Sequence, residues 1–144
     1  MDAFRYAVSL RIHHPDVDPG AISDRLGLAP RAAWKAGDAR SARDGTALGG
    51  RHDSTYWTSP LGQGPGDGLE EALEAFTSRL APQGDFFREL HATGGRIEYF
   101  VGWFSETNCG VILGCRLLQA LADLRIDLAL DIYPRREPPV RSER

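Results

Sequence analysis

From Ile97 to Phe104 the chain reads Ile-Glu-Tyr-Phe-Val-Gly-Trp-Phe, with large apolar groups at odd and even positions alike. Successive side chains of an extended strand leave opposite faces, so Ile97, Tyr99, Val101 and Trp103 lie on one side and Phe100 and Phe104 on the other. A segment apolar on both sides belongs in the interior of a sheet, with a strand on each flank. The rest of the chain must supply those flanks.

Two further segments qualify. Phe4 to Ile12 alternates strictly, with Phe4, Tyr6, Val8, Leu10 and Ile12 on one side and Arg5, Ser9 and Arg11 among those opposite. This is the period of a strand with one buried face, and His13-His14-Pro15 ends it because proline cannot donate to a ladder. Ile126 to Tyr133 alternates in the same way up to Pro134, and Ser54 to Ser59 is a shorter β-prone run. Between the strands lie helical patterns. Asp18-Pro19 reads as an N-cap with proline at the first helical position, followed by Ile22 and Leu26 and a stop at Gly27. Leu69, Leu73, Phe76 and Leu80 recur at helical spacing after Asp67, a candidate cap; Phe86, Phe87 and Leu90 form a second short piece beyond Pro82; and Leu117, Leu118, Leu121 and Leu124 mark a last helix. Residues 29–53 show no sustained period and read as a long loop, and Pro60 to Gly68 as a turn-rich connector.

The order β-α-β-α(α)-β-α-β predicts an α+β fold. Its two halves, set down with interleaved strands and right-handed crossovers, give a four-stranded mixed or antiparallel sheet with helices mainly on one face, the face carrying Tyr6, Val8, Leu10, Leu128 and Leu130. That is a ferredoxin-like arrangement with a helical insertion. Residues 1–134 form one domain in this reading, and 135–144 a charged flexible tail. Composition agrees: 42% hydrophobic and 26% charged residues are ordinary for a globular domain, and a net charge of −3 does not favour bulk attraction to nucleic acid or anionic lipid. The two cysteines are too few for a disulfide framework, and the start of the chain has no signal-peptide pattern, so a reducing cytoplasm is the expected setting, with no membrane association.

The stretch Ile22 to Asp38, Ile-Ser-Asp-Arg-Leu-Gly-Leu-Ala-Pro-Arg-Ala-Ala-Trp-Lys-Ala-Gly-Asp, resembles the first half of the bacterial domain of unknown function 4279 family, with its leucine-glycine helix end, its proline and its Trp-x-x-Gly-Asp element. Trp57 is similar to the tryptophan of that family's next strand, and Ile126 to Tyr133 to its closing strand; Arg31 stands where the family pattern has a hydroxyl residue. The resemblance supports the layout and carries no activity with it.

Trp34-Lys35-Ala36-Gly37-Asp38-Ala39-Arg40 is the most suggestive local cluster. Gly37 permits positive φ, Asp38 can fold back on backbone donors, Trp34 offers an apolar plate, and Lys35 and Arg40 are donors to an anion or a carboxylate. The plainer reading is that Trp34 pins the loop to the sheet edge while the charges are solvated. With Trp57, this cluster is the predicted binding surface of a non-catalytic interaction module of regulatory or immunity type for another protein, while Phe100 and Phe104 form an apolar strip on the sheet face suited to a partner or to a second copy of the chain. The alternative is an enzyme or binding protein for a small anion held by Lys35 and Arg40, with His52 and Asp53 as nearby acid-base candidates. Stacking of nucleic acid on Phe100, Phe104 and Tyr133 is disfavoured by Glu98, Asp127 and Asp131 on the same face, and Arg5 and Arg11 are expected to pair with Asp127 and Asp131 if first and last strands are neighbours. His13 and His14 are adjacent, so their side chains diverge on a strand; no metal site or cofactor is expected. Cys109 and Cys115 read as small buried residues, and no catalytic residue is assigned.

Overall fold

The computed structural model describes residues 4–134, so the tail expected over 135–144 lies outside the described residues. Alternation makes β1 (Phe4–His14) the axle of the sheet: every second residue from Phe4 to His14 is buried, and those between are exposed or half-buried. Two long strands flank it antiparallel, β5 (Thr55–Pro65) on one side and β6 (Arg96–Ser105) on the other. β7 (Ile126–Pro134) lies parallel to β6 after a crossover through α4 (Cys115–Asp123), and the short β2 (Ala32–Trp34) pairs with the outer side of β5. Among the described residues the sheet therefore has five strands in the order β2-β5-β1-β6-β7, rather than four. Nor are its halves interleaved as a ferredoxin-like fold requires: β5 lies beside β1 and β7 beside β6, so the long strands of each half stay together.

The helices α1 (Pro19–Leu26), α2 (Leu69–Leu80), α3 (Gly84–Ala92) and α4 share one core with the buried face of the sheet. Asp18 caps α1 by accepting from the Gly20 amide, and Gly27, at φ +66°, ends it. Asp67 is not the cap of α2; it sits in a 3-10 turn (Gly66–Gly68) that leads straight into the helix. Glu70 instead reaches across to accept from the Gly114 amide at the start of α4, tying two helices that lie far apart in sequence. Leu128 packs half-buried against the core, but Leu130 is 47% exposed, contrary to its expected place under the helices. The reason is length: Leu118, Leu121 and Ala122 of α4 adjoin the first residues of β7, while Leu130 and Ile132 lie beyond, beside the segment from Thr107 to Leu113.

The stretch read as a connector after Pro60 continues as strand because β5 carries a bulge. Val8 pairs with Gly62 and Ser9 with Pro60, so Leu61 is the extra residue, and the proline falls where a ladder tolerates it. The bulge also switches parity: Thr55, Trp57 and Ser59 face the helices before it, Gly62 and Gly64 after it. A Cβ at Gly62 would lie 3.0 Å from the Phe76 ring and one at Gly64 3.1 Å from the Tyr6 hydroxyl, so these glycines make room for helix-side aromatics.

Candidate functional site

The expected loop 29–53 is not one. It holds β2 and a separate hairpin of β3 (Ala39–Ser41) and β4 (Ala47–Arg51). All residues of both hairpin strands are exposed, which is why no hydrophobic period marks them. The signal was the Asp44-Gly45 dipeptide: Gly45 adopts φ +88°, Asp44 accepts from the Thr46 amide at 2.9 Å, and Ala42 donates to Thr46 across the turn. Hydrogen bonds from the Thr46 hydroxyl and amide hold the Asp44 carboxyl below its ordinary range.

The hairpin has a firm root. Gly37 takes φ +91°, and Asp38 Oδ2 accepts from the Lys35 amide at 2.8 Å. The Gly37 amide donates to the His52 carbonyl at 2.8 Å, the His52 amide to the Asp38 carbonyl at 2.9 Å, and Arg51 Nη1 to the Gly37 carbonyl at 2.7 Å. One further step reaches the core: the Ala36 amide donates to Thr55 Oγ1, which donates to the Val17 carbonyl, and Thr55 is fully buried. Trp34, half-buried at the end of β2, stacks on the His52 ring with centroids 4.3 Å apart and 12° between planes. Tyr56 lies 4.8 Å from Trp34, and His13 4.9 Å from Tyr56, so four rings run from the hairpin root onto β1. The sequence marks His52 only as an acid-base candidate and does not link Tyr56 and His13 to this edge, because their neighbourhood arises from pairing across β5.

Charge concentrates here. Residues 31–52 carry five cations (Arg31, Lys35, Arg40, Arg43, Arg51) against Asp38 and Asp44, a local balance of +3 in a chain whose total is −3. Lys35, Asp38 and Arg40 are exposed, and the Arg40 stem lies over Gly50. Burial first, then Arg96 and Arg11, push the His13 imidazole below its ordinary value against an opposing pull from Glu98.

Trp57 does not belong to this surface. Its parity turns it to the helix side, where it is fully buried opposite Ile12 and donates from Nε1 to Ser23 Oγ at 3.0 Å. The proposed pairing of Arg5 and Arg11 with Asp127 and Asp131 also fails, since β6 stands between β1 and β7. Arg11 instead covers the Phe100 ring at 3.5 Å and is in register with Glu98, Phe104 stacks on Tyr133, and Asp131 accepts from the Tyr133 hydroxyl. His13 and His14 do diverge. His14 is buried, accepting at Nδ1 from the Asp16 and Val17 amides with Nε2 against Thr93 Oγ1, while His13 lies on the open face of the sheet. Cys109 is half-buried against the core, but Cys115 is exposed at the start of α4 and is not a core residue.

Among the described residues no helix is long and apolar enough to cross a membrane. No curated protein and no solved structure matches this chain. The Trp-x-x-Gly-Asp element at the hairpin root and the closing strand lie within the span of one family model, described as Domain of unknown function (DUF4279), which matches residues 3–135; the chain belongs to that family.

Proposed function

We propose that this chain is a small, non-catalytic interaction module of the bacterial cytoplasm, of regulatory or immunity type, which docks on an acidic surface of another protein through the β3–β4 hairpin and the Trp34 edge. One observation carries this reading: a hairpin that buries none of its strand side chains is nonetheless fixed at its root by a chain of hydrogen bonds leading to Thr55 in the core. Ordering backbone costs about 1–2 kcal/mol per residue, so a segment held in shape without packing is suited to contact rather than to stability. The charge supports an acidic partner. Rooted cations on an otherwise acidic protein set the orientation of encounter as well as its rate.

The small-anion alternative is less well supported. The backbone donors it would use are engaged, the Lys35 amide by Asp38, the Gly37 amide by the His52 carbonyl and the His52 amide by the Asp38 carbonyl. The test is capture from a lysate of the source organism with the wild-type chain and with Lys35→Glu/Arg40→Glu/Arg43→Glu. We expect the wild type to retain a specific acidic protein that elutes with rising salt, and the triple variant to lose it while its circular dichroism is unchanged. Equal retention by both chains, or no specific protein on the wild type, defeats the reading.

A further inference from the structure

The opposite edge of the sheet has a different character. Seven large hydrophobic side chains are exposed among the described residues, and six of them gather around β7. Leu130, Ile132 and Tyr133 are on the strand itself and Phe104 stacks on Tyr133. Leu118 shares a cleft with Leu128, and Ile112 lies between Val111 and Leu113, which line a second cleft with Leu130 and Ile132. Among the described residues no strand lies beside the outer side of β7. Leu130 and Ile132 lie on the helix side and Phe104 and Tyr133 on the other, and an open strand edge with apolar groups on both faces is a template for another strand.

We propose that the β7 edge pairs with β7 of a second copy of this chain, antiparallel about a two-fold axis, so that two five-stranded sheets become one. This goes beyond the hairpin reading and does not depend on it, because β2 and β7 are at opposite edges. The strand's own sequence is complementary to itself in one register. A two-fold axis relating antiparallel neighbours stands perpendicular to the sheet, so odd residues oppose odd and even oppose even, and the helix layers fall on the same side. The register that uses the whole strand, Ile126 through Pro134, sets Leu130 against Leu130 and Leu128 against Ile132, bringing six apolar side chains together on the helix side. On the other face Asp127 meets Tyr133 and Asp131 meets Ala129. Pro134, which cannot donate to a ladder, falls at the last rung opposite Ile126. Sliding one step in either direction shortens the pairing and opposes like charges, Asp127 against Asp131 in one case and Asp131 against itself in the other. Length, apolar contact and charge therefore select the same register.

Sedimentation velocity on the full chain tests this. The wild type is expected to run as a dimer at micromolar concentration. Leu130→Lys and Leu130→Glu, each of which faces its own copy at the axis, are expected to run as monomers, with self-association weakened by roughly a hundredfold or more, as opposed like charges across an interface require. An equimolar mixture of the two variants should recover the dimer, since Lys then faces Glu. A monomeric wild type overturns the proposal, as does a Leu130→Lys chain that still dimerises. A mixture that stays monomeric overturns the register. Hydrogen exchange on the wild type gives a reading free of any variant: outward β7 amides should be protected more strongly as concentration rises, and protection that does not change with concentration also overturns the pairing.

Discussion

The phenol of Tyr99 is fully buried on the helix side of β6, with its oxygen 2.8 Å from Thr77 Oγ1. Thr77 spends its own proton on the Leu73 carbonyl, so Tyr99 is the donor and Thr77 the acceptor. Burial pushes the Tyr99 pKa from 10.0 up to about 12. The native state thus holds this proton more tightly than the unfolded chain; the stabilising effect is complete below pH 10.0 and is lost as pH rises through about 12. We expect the ultraviolet phenolate titration to end in a late step that coincides with unfolding, and Tyr99→Phe to lack that step at a cost of about 1 kcal/mol for the lost hydrogen bond. A late step that survives in Tyr99→Phe assigns it to another tyrosine. Alternation alone placed Tyr99 on the inner face, but Thr77 was not legible as its partner, since the pair exists only once α2 lies across β6. Trp57 shows the same limit. The parity of residues 54–59 separates Trp57 from its neighbours, yet which parity faces the core follows from its register with Ile12 on β1, a fact of tertiary pairing.

At the scale of elements, strands and helices with a buried face were readable from their period; β2, β3 and β4 went unread, and β5 was legible only as far as Ser59. β5 loses its period at the Leu61 bulge, where proline and glycine imitate a loop while serving a strand; β3 and β4 bury nothing and so carry no apolar rhythm. The hairpin's shape rests on its root. At Gly37 an added Cβ meets nothing within 4 Å, so Gly37→Ala is penalised only by its positive φ, about 1–2 kcal/mol. That penalty falls on the root rather than on the core. Hydrogen exchange at the Gly37 and His52 amides should accelerate by roughly tenfold or more, the equivalent of that energy, while amides of β1 stay unchanged. Equal acceleration in β1 would mean that the hairpin and the core unfold together.

For the whole molecule, the class of fold was legible and the strand order was not. The helical crossover between β6 and β7 is a local event, whereas the position of β1 between β5 and β6 depends on which antiparallel neighbours it selects across the chain. The same topology makes the hairpin separable. Replacing residues 39–51 with Asn-Gly, between Asp38 and His52, keeps the residues of the bonds from the His52 amide to the Asp38 carbonyl and from the Gly37 amide to the His52 carbonyl, and removes no buried strand residue. We expect the melting temperature to stay within about 4 °C of the wild type while capture of the acidic partner is abolished. A larger fall would show that the hairpin supports the fold.

Because the cationic edge and the apolar edge terminate the same sheet, pairing through one leaves the other doubled and facing outward at both ends. With neighbouring strands about 4.8 Å apart, two hairpins on such an assembly stand roughly 40 Å from each other. The molecule then grips like a calliper: a target bearing two suitable patches at that span is held by avidity, whereas a target with a single patch feels only one jaw.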